Sequence, residues 1–238
     1  MVIDLSKKIK FSPKDSTFKT LKEGFINHLD EFDEYFFIVE ESLENKEKEL
    51  VNRIKSESEK NEEYDLSFFE DFYIDDWNQI GAIFPSIFRK SLLLSIYSLF
   101  EFELINVCRK IETVLNNDEK FKIKKKKGNV ESAKLYLKKS CILKSNDFDN
   151  IWETITVYRH IRNNIVHRGG RLYDESPNYK VISQFIEKHT SENFIEVTNS
   201  GYMFFSKKFI EFFIQSLKLL FEIIYCNIES NHIFKRNC

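Results

Sequence analysis

Residues 158–170, "YRHIRNNIVHRGG", bring Arg162, Asn163 and His167 together in a chain that has only 5 histidines and 8 arginines in 238 residues. An imidazole gives and takes protons near neutral pH. A guanidinium presents a fixed fork of donors that matches phosphate oxygens. Residues of these types at this spacing could move a proton beside a phosphate. The plainer reading is an ordinary helix end, where cations favour the negative end of the helix dipole.

The element carrying these residues follows from the apolar positions around them. At about 100° per residue, Ile151, Ile155, Tyr158, Ile161 and Ile165 share one arc, which predicts a helix over 148–167 with that arc buried. Arg162 falls within the same arc, where a charge needs a partner, a crevice or another subunit to offset its desolvation. His167 lies about 140° around the helix from it. Bringing the two together requires help, either from the helix ending at Gly169 or from a second copy of the motif across a two-fold axis.

The rest of the chain predicts mostly helical structure. Charged residues make up 31% and hydrophobic ones 42%, but 6 Gly and 3 Pro are too few for the turns of an all-β fold. Apolar residues at steps of three and four over 17–60 predict one long helix or two in tandem. "NEEYDLSFFEDFYIDDWNQIGAIFP" breaks that period, and Gly81 and Pro85 mark a turn, so a loop with short helical pieces is expected there. A central helix follows over 85–116, then a Lys-rich loop. A short helix over 130–139 would be capped by Asn129, and the motif helix by Ser145 or Asp147. A further short helix is expected after Pro177. A small β-hairpin is expected around Asn199, Ser200 and Gly201, and a last apolar helix over 206–230.

Charge is strongly segregated. From Asp30 to Asp76 there are 18 acidic against 5 basic side chains, and from Lys120 to Lys144 there are 10 lysines against the single Glu131. Lys122, Lys124, Lys125, Lys126 and Lys127 either guide nucleic-acid phosphates or form a solvated loop. The acidic stretch is a solvated face or a cover for a basic groove. Cys108, Cys141, Cys226 and Cys238 lack zinc-ligand spacing and suit a reducing compartment. No apolar signal core opens the chain, and no uncharged run reaches about 18 residues, so a soluble cytoplasmic protein is expected. Glu101 and Glu103 are two residues apart and face different sides of a helix, which argues against a metal site. His28, His160, His189 and His232 are expected at the surface.

Arg162-Asn163-Asn164-Ile165-Val166-His167, late in a helix, resembles the Arg-polar-x3-His core of the HEPN superfamily. "SIYSLFEFELINVCRKIE" is similar to the helix that precedes the motif in that family, and the apolar C-terminal helix also fits, so the resemblance spans roughly 85–230. It implies an all-α fold. A HEPN-like bundle would occupy 81–238, with a long acidic helical extension over 1–80 and the hairpin near Gly201 as an elaboration. It further implies a metal-independent, cofactor-free endoribonuclease acting as a toxin or phage-defence effector. RNA would supply its own 2′-hydroxyl nucleophile and leave 2′,3′-cyclic phosphate and 5′-hydroxyl ends. By the same resemblance His167 would do acid/base work, Arg162 would stabilise the phosphate, Asn163 would orient either, and Glu101 would support Arg162. RNA, a second copy in a homodimer, and an antitoxin or defence-system protein are the implied partners, with no membrane. The alternative is a catalytically silent HEPN-like module for dimerisation or for binding a nucleotide or partner.

Overall fold

The computed structural model describes residues 16–61, 63–115, 120–124, 128–140, 142 and 146–230. Its first elements are α1 (Ser16–Glu59), α2 (Leu66–Phe72), α3 (Ile74–Asn78), a π-helical turn (Gln79–Ile83) and α4 (Phe84–Leu115). Next come α5 (Gly128–Lys139), α6 (Asn146–Arg168), α7 (Tyr179–Lys188), β1 (Ile195–Val197), β2 (Met203–Phe205) and α8 (Lys207–Ser230). The protein is mostly helical. The two strands pair antiparallel, with Ile195 opposite Phe205 and Val197 opposite Met203.

Contacts group the chain into two compact units, residues 1–28, 100–152 and 217–238 in the first and residues 29–99 and 153–216 in the second. Helix α1 is a single helix of 44 residues, and its apolar stripe is core in each unit, with Phe25 buried in the first and Leu29, Phe36, Leu50 and Ile54 buried in the second. Leu50 and Ile54 pack in a cluster with Phe69, Tyr73 and Ile80.

In the first unit Phe25 packs on Phe221 at 3.9 Å between ring centres, and Phe100 meets Phe221 edge-on. Leu104, Val107, Cys108, Ile111, Leu137 and Trp152 are buried there too. Burial pushes the Cys108 thiol well above its ordinary pKa, which keeps it protonated and inert. In the second unit Tyr158 of α6 is fully buried, edge-on to Phe213 at 4.3 Å, with its hydroxyl 3.4 Å from Ser216 Oγ.

The stretch expected as a loop around Gly81 and Pro85 is helical instead. Proline lacks an N–H, and in a regular α-helix its ring would collide with the carbonyl four residues back, here that of Gly81. The turn before it is widened, and Phe84 donates its N–H to Gln79 O, five residues back. The inserted residue re-aims that carbonyl, so α3 runs into α4 without a break. Ile74–Val114 is consequently long and apolar enough to cross a membrane by length and composition. Leu92, Leu93, Ile96, Leu104, Val107 and Ile111 within it are buried against protein.

Two cap assignments also shift. Helix α5 opens at Gly128, with φ of +77°, rather than after Asn129. Ser132 Oγ donates to Gly128 O and accepts from the Lys124 N–H, tying the end of the lysine loop to the helix. Helix α6 begins at Asn146, which excludes Asp147 as its cap, while Ser145 lies outside the described residues.

One ion pair in the second unit is buried. Glu40 of α1 is 4% exposed, and Arg89 of α4 grips it through Nε and Nη2, both at 2.7 Å. Arg89 Nη1 also donates to Phe205 O at 2.9 Å, and Lys207 of α8 reaches Glu40 at 3.4 Å and pairs with Glu44. Removing one partner of such a pair strands the other charge in a desolvated site. Glu40→Ala is expected to lower the unfolding free energy by about 3–5 kcal/mol in urea titration. Glu44→Ala, at the exposed end of the network, should cost less than about 1 kcal/mol.

Candidate functional site

Helix α6 carries the motif, and of the arc the sequence defines Ile151, Ile155, Tyr158 and Ile161 are buried, whereas Ile165 is only half-buried. Arg162 is half-buried. Its Nη1 donates to Asn163 Oδ1 at 3.1 Å, so its partner among the described residues is a neutral amide on the adjacent residue. His167 is exposed on the last turn. Because α6 stays helical through Arg168, the turn at Gly169 does not draw His167 towards Arg162, and about 140° of rotation still separates them.

The helix is closed by a clasp that sequence reasoning missed. Gly169 and Gly170 take φ of +62° and +80°, conformations that side chains with a Cβ rarely adopt. Gly170 donates its N–H to Asn164 O, and Asn164 Nδ2 donates to Arg171 O at 2.8 Å. Asn164 is 2% exposed, and its Oδ1 has no hydrogen-bond partner among the described residues. The chain after the turn then joins the hairpin: Met203 donates to Gly170 O, Leu172 donates to Gly201 O, and Arg171 bridges to Tyr202. The signal was present as a second asparagine three residues before the final turn, but nothing in the sequence tells which asparagine is turned inward.

Cations gather at this end. Residues 154–173 hold four arginines and two histidines and no Asp or Glu. The Arg171 guanidinium lies over the Tyr202 ring, 4.3 Å from its centre, and is hydrogen-bonded to its hydroxyl. Lys90 of α4 packs against Gly170, where an added Cβ would meet its Cε at 3.3 Å, and its Nζ sits 5.4 Å from the centre of the Phe204 ring. Burial holds the Lys90 ammonium below its usual pKa. A cation in that state gains from an anion.

Among the other expected site residues, Glu101 is half-buried and belongs to the first unit, whereas Arg162 belongs to the second. Lys122 and Lys124 are exposed in the first unit; Lys125, Lys126 and Lys127 lie outside the described residues, as does His232. His28 is exposed, but His160 and His189 are not surface residues. His189 packs among Phe185, Phe194 and Phe212. His160 is half-buried, and desolvation, reinforced by Arg159 and opposed by a hydrogen bond with Asn178, holds its pKa below the ordinary value. No cluster of three or more His, Cys, Asp or Glu side chains could hold a metal ion among the described residues. No family model, curated protein or solved structure matches the chain.

Replacing Asn164 with alanine removes the side-chain half of the clasp. A loss of about 1–2 kcal/mol is expected, with faster proteolysis at Arg168 and Arg171 under native conditions. His160 gives a pH signature. Its folded pKa lies below the unfolded value of about 6.5, so the stability held by its neutral form is complete above that pH and is lost as pH falls. Unfolding free energy should decline from about pH 6.5 downwards, and His160→Gln should flatten that part of the profile.

Proposed function

We propose that the end of α6 is the RNA-cleaving site of a HEPN-like, metal-independent endoribonuclease. The observation that carries this reading is an arginine-rich helix end without carboxylates, in which Arg162 is held by a neutral amide and His167 is open to solvent. A carboxylate partner would compete with phosphate for the guanidinium; an amide orients it and leaves its charge available. Arg162 would stabilise charge on the phosphorane, His167 would exchange protons with the 2′-hydroxyl and the leaving oxygen, and Asn163 would orient Arg162.

Two copies complete the site in this proposal. One helix separates Arg162 from His167, whereas a two-fold axis near α6 would set two arginines and two histidines around one cleft, giving separate groups to take and donate a proton. Exposed Phe84 and Ile87 of α4, in the same unit as the motif, offer apolar surface for such a homodimer. A toxin or phage-defence role in the cytoplasm, with an antitoxin or defence-system partner, belongs to the same proposal. The separation of Arg162 from His167 also favours a second reading, a silent module that binds a partner without cutting.

Purified protein incubated with RNA separates the two. Wild type is expected to leave 2′,3′-cyclic phosphate and 5′-hydroxyl ends, unaffected by EDTA. Arg162→Ala and His167→Ala should each lose about 100-fold or more in rate while keeping wild-type helicity and association state. Intact RNA with all three proteins would leave the silent module.

A further inference from the structure

The second unit contains a cleft of about 630 Å³ that the proposed cleavage site does not use. This is the size of a small-molecule site. Arg89, His189, Asn193, Glu196 and Phe204 line it, together with the π-helical turn at Gly81 and Ala82. Two backbone irregularities meet here: the widened turn and Asn193, with φ of +51°. Such departures from regular geometry concentrate at binding sites. No residue of the motif lines the cleft, but Lys90 links the two. Arg89 lines the cleft while its neighbour Lys90 packs on Gly170, and Phe204 lines it while its ring carries the Lys90 ammonium.

The lining selects for a particular chemistry. Arg89 uses three of its five N–H donors on Glu40 and Phe205 O, which leaves two for a ligand. Its charge is already balanced by Glu40, so those donors suit a neutral acceptor better than a phosphate. Glu196 supplies an acceptor-only carboxylate, and Phe204 a partly exposed aromatic surface. A flat ring with two acceptors on one edge and N–H donors on another fits this set. Guanine has O6 and N7 on one edge and N1–H and the N2 amine on the other; adenine has no second acceptor beside N7 and no donor for Glu196 at those places. We propose that the cleft is a guanine-binding subsite, formed by Arg89, Glu196 and Phe204, with Lys90 contacting the phosphate that links the bound nucleotide to the motif at the end of α6. This rests on the ribonuclease reading for its purpose, but binding can be measured without cleavage.

Trp77 provides the probe. Its indole lies beside Gly81 at the cleft, 3.6 Å from where a Cβ on that glycine would stand, and the chain's other tryptophan, Trp152, is buried in the first unit. Trp77 fluorescence should change saturably on titration of the full chain with guanosine 5′-monophosphate, which a ribonuclease of this kind cannot cut. Adenosine 5′-monophosphate should bind at least about tenfold more weakly. Phe204→Ala should weaken binding by about tenfold through lost stacking. Glu196→Gln, a conservative change on the exposed strand β1, should reduce the preference for guanine, the remainder resting on Arg89. Lys90→Gln should weaken the monophosphate and leave guanosine itself unchanged. No saturable change at millimolar nucleotide, equal binding of the two bases, or a guanine preference undiminished in Glu196→Gln would overturn the subsite. If RNA is cut but the cleft binds no guanine, the subsite alone fails; if guanine binds but RNA stays intact, the ribonuclease reading alone fails.

Discussion

The pair of Glu40 and Arg89 is the constraint from which the organisation of the second unit follows. A carboxylate that is 4% exposed is tolerated because a bidentate guanidinium meets it and a lysine lies behind it. The same guanidinium fixes Phe205 O, and so the position of β2. Two residues earlier, Met203 holds Gly170 O, and Gly170 closes the end of α6. A chain of hydrogen bonds therefore runs from a buried acid in α1 to the turn beyond His167. It holds the cationic helix end rigidly, although that end is exposed.

Periodicity made the helices legible. The motif helix, the long N-terminal helix and the apolar C-terminal helix all follow from apolar residues every three or four positions, and the hairpin follows from β-prone residues flanking Asn199-Ser200-Gly201. Local rules misled where tertiary context overrode them. Gly81 and Pro85 read as a turn, yet a π-helical turn absorbs the proline and the helix continues. The acidic run over 30–76 hid the one acid that is buried among the described residues: Glu40 is only one of 18 carboxylates by sequence, and burial alone sets it apart.

The candidate site was partly legible for a similar reason. Arg162, Asn163 and His167 stand out by type and spacing, and α6 presents them as a helix should. Asn164 does not stand out, because its role depends on Arg171 folding back after two glycines. Lys90 and Phe204 come from elements about 70 residues before and 40 residues after the motif, and only the fold brings them to its turn. His189 read as a surface residue because its packing against three phenylalanines is a property of the loop that follows α7.

What remains central is that a single α6 holds Arg162 and His167 on different sides, so the cleavage proposed for this helix end requires two copies to meet. Subunit mixing measures this directly. Wild-type chains are allowed to exchange with increasing amounts of His167→Ala chains at constant total protein, and the RNA cleavage rate is followed. A composite site predicts that activity falls more steeply than the wild-type fraction, approaching its square when mixed dimers are inactive. Activity strictly proportional to the wild-type fraction would show that each chain cuts alone, and would contradict a site shared between two copies.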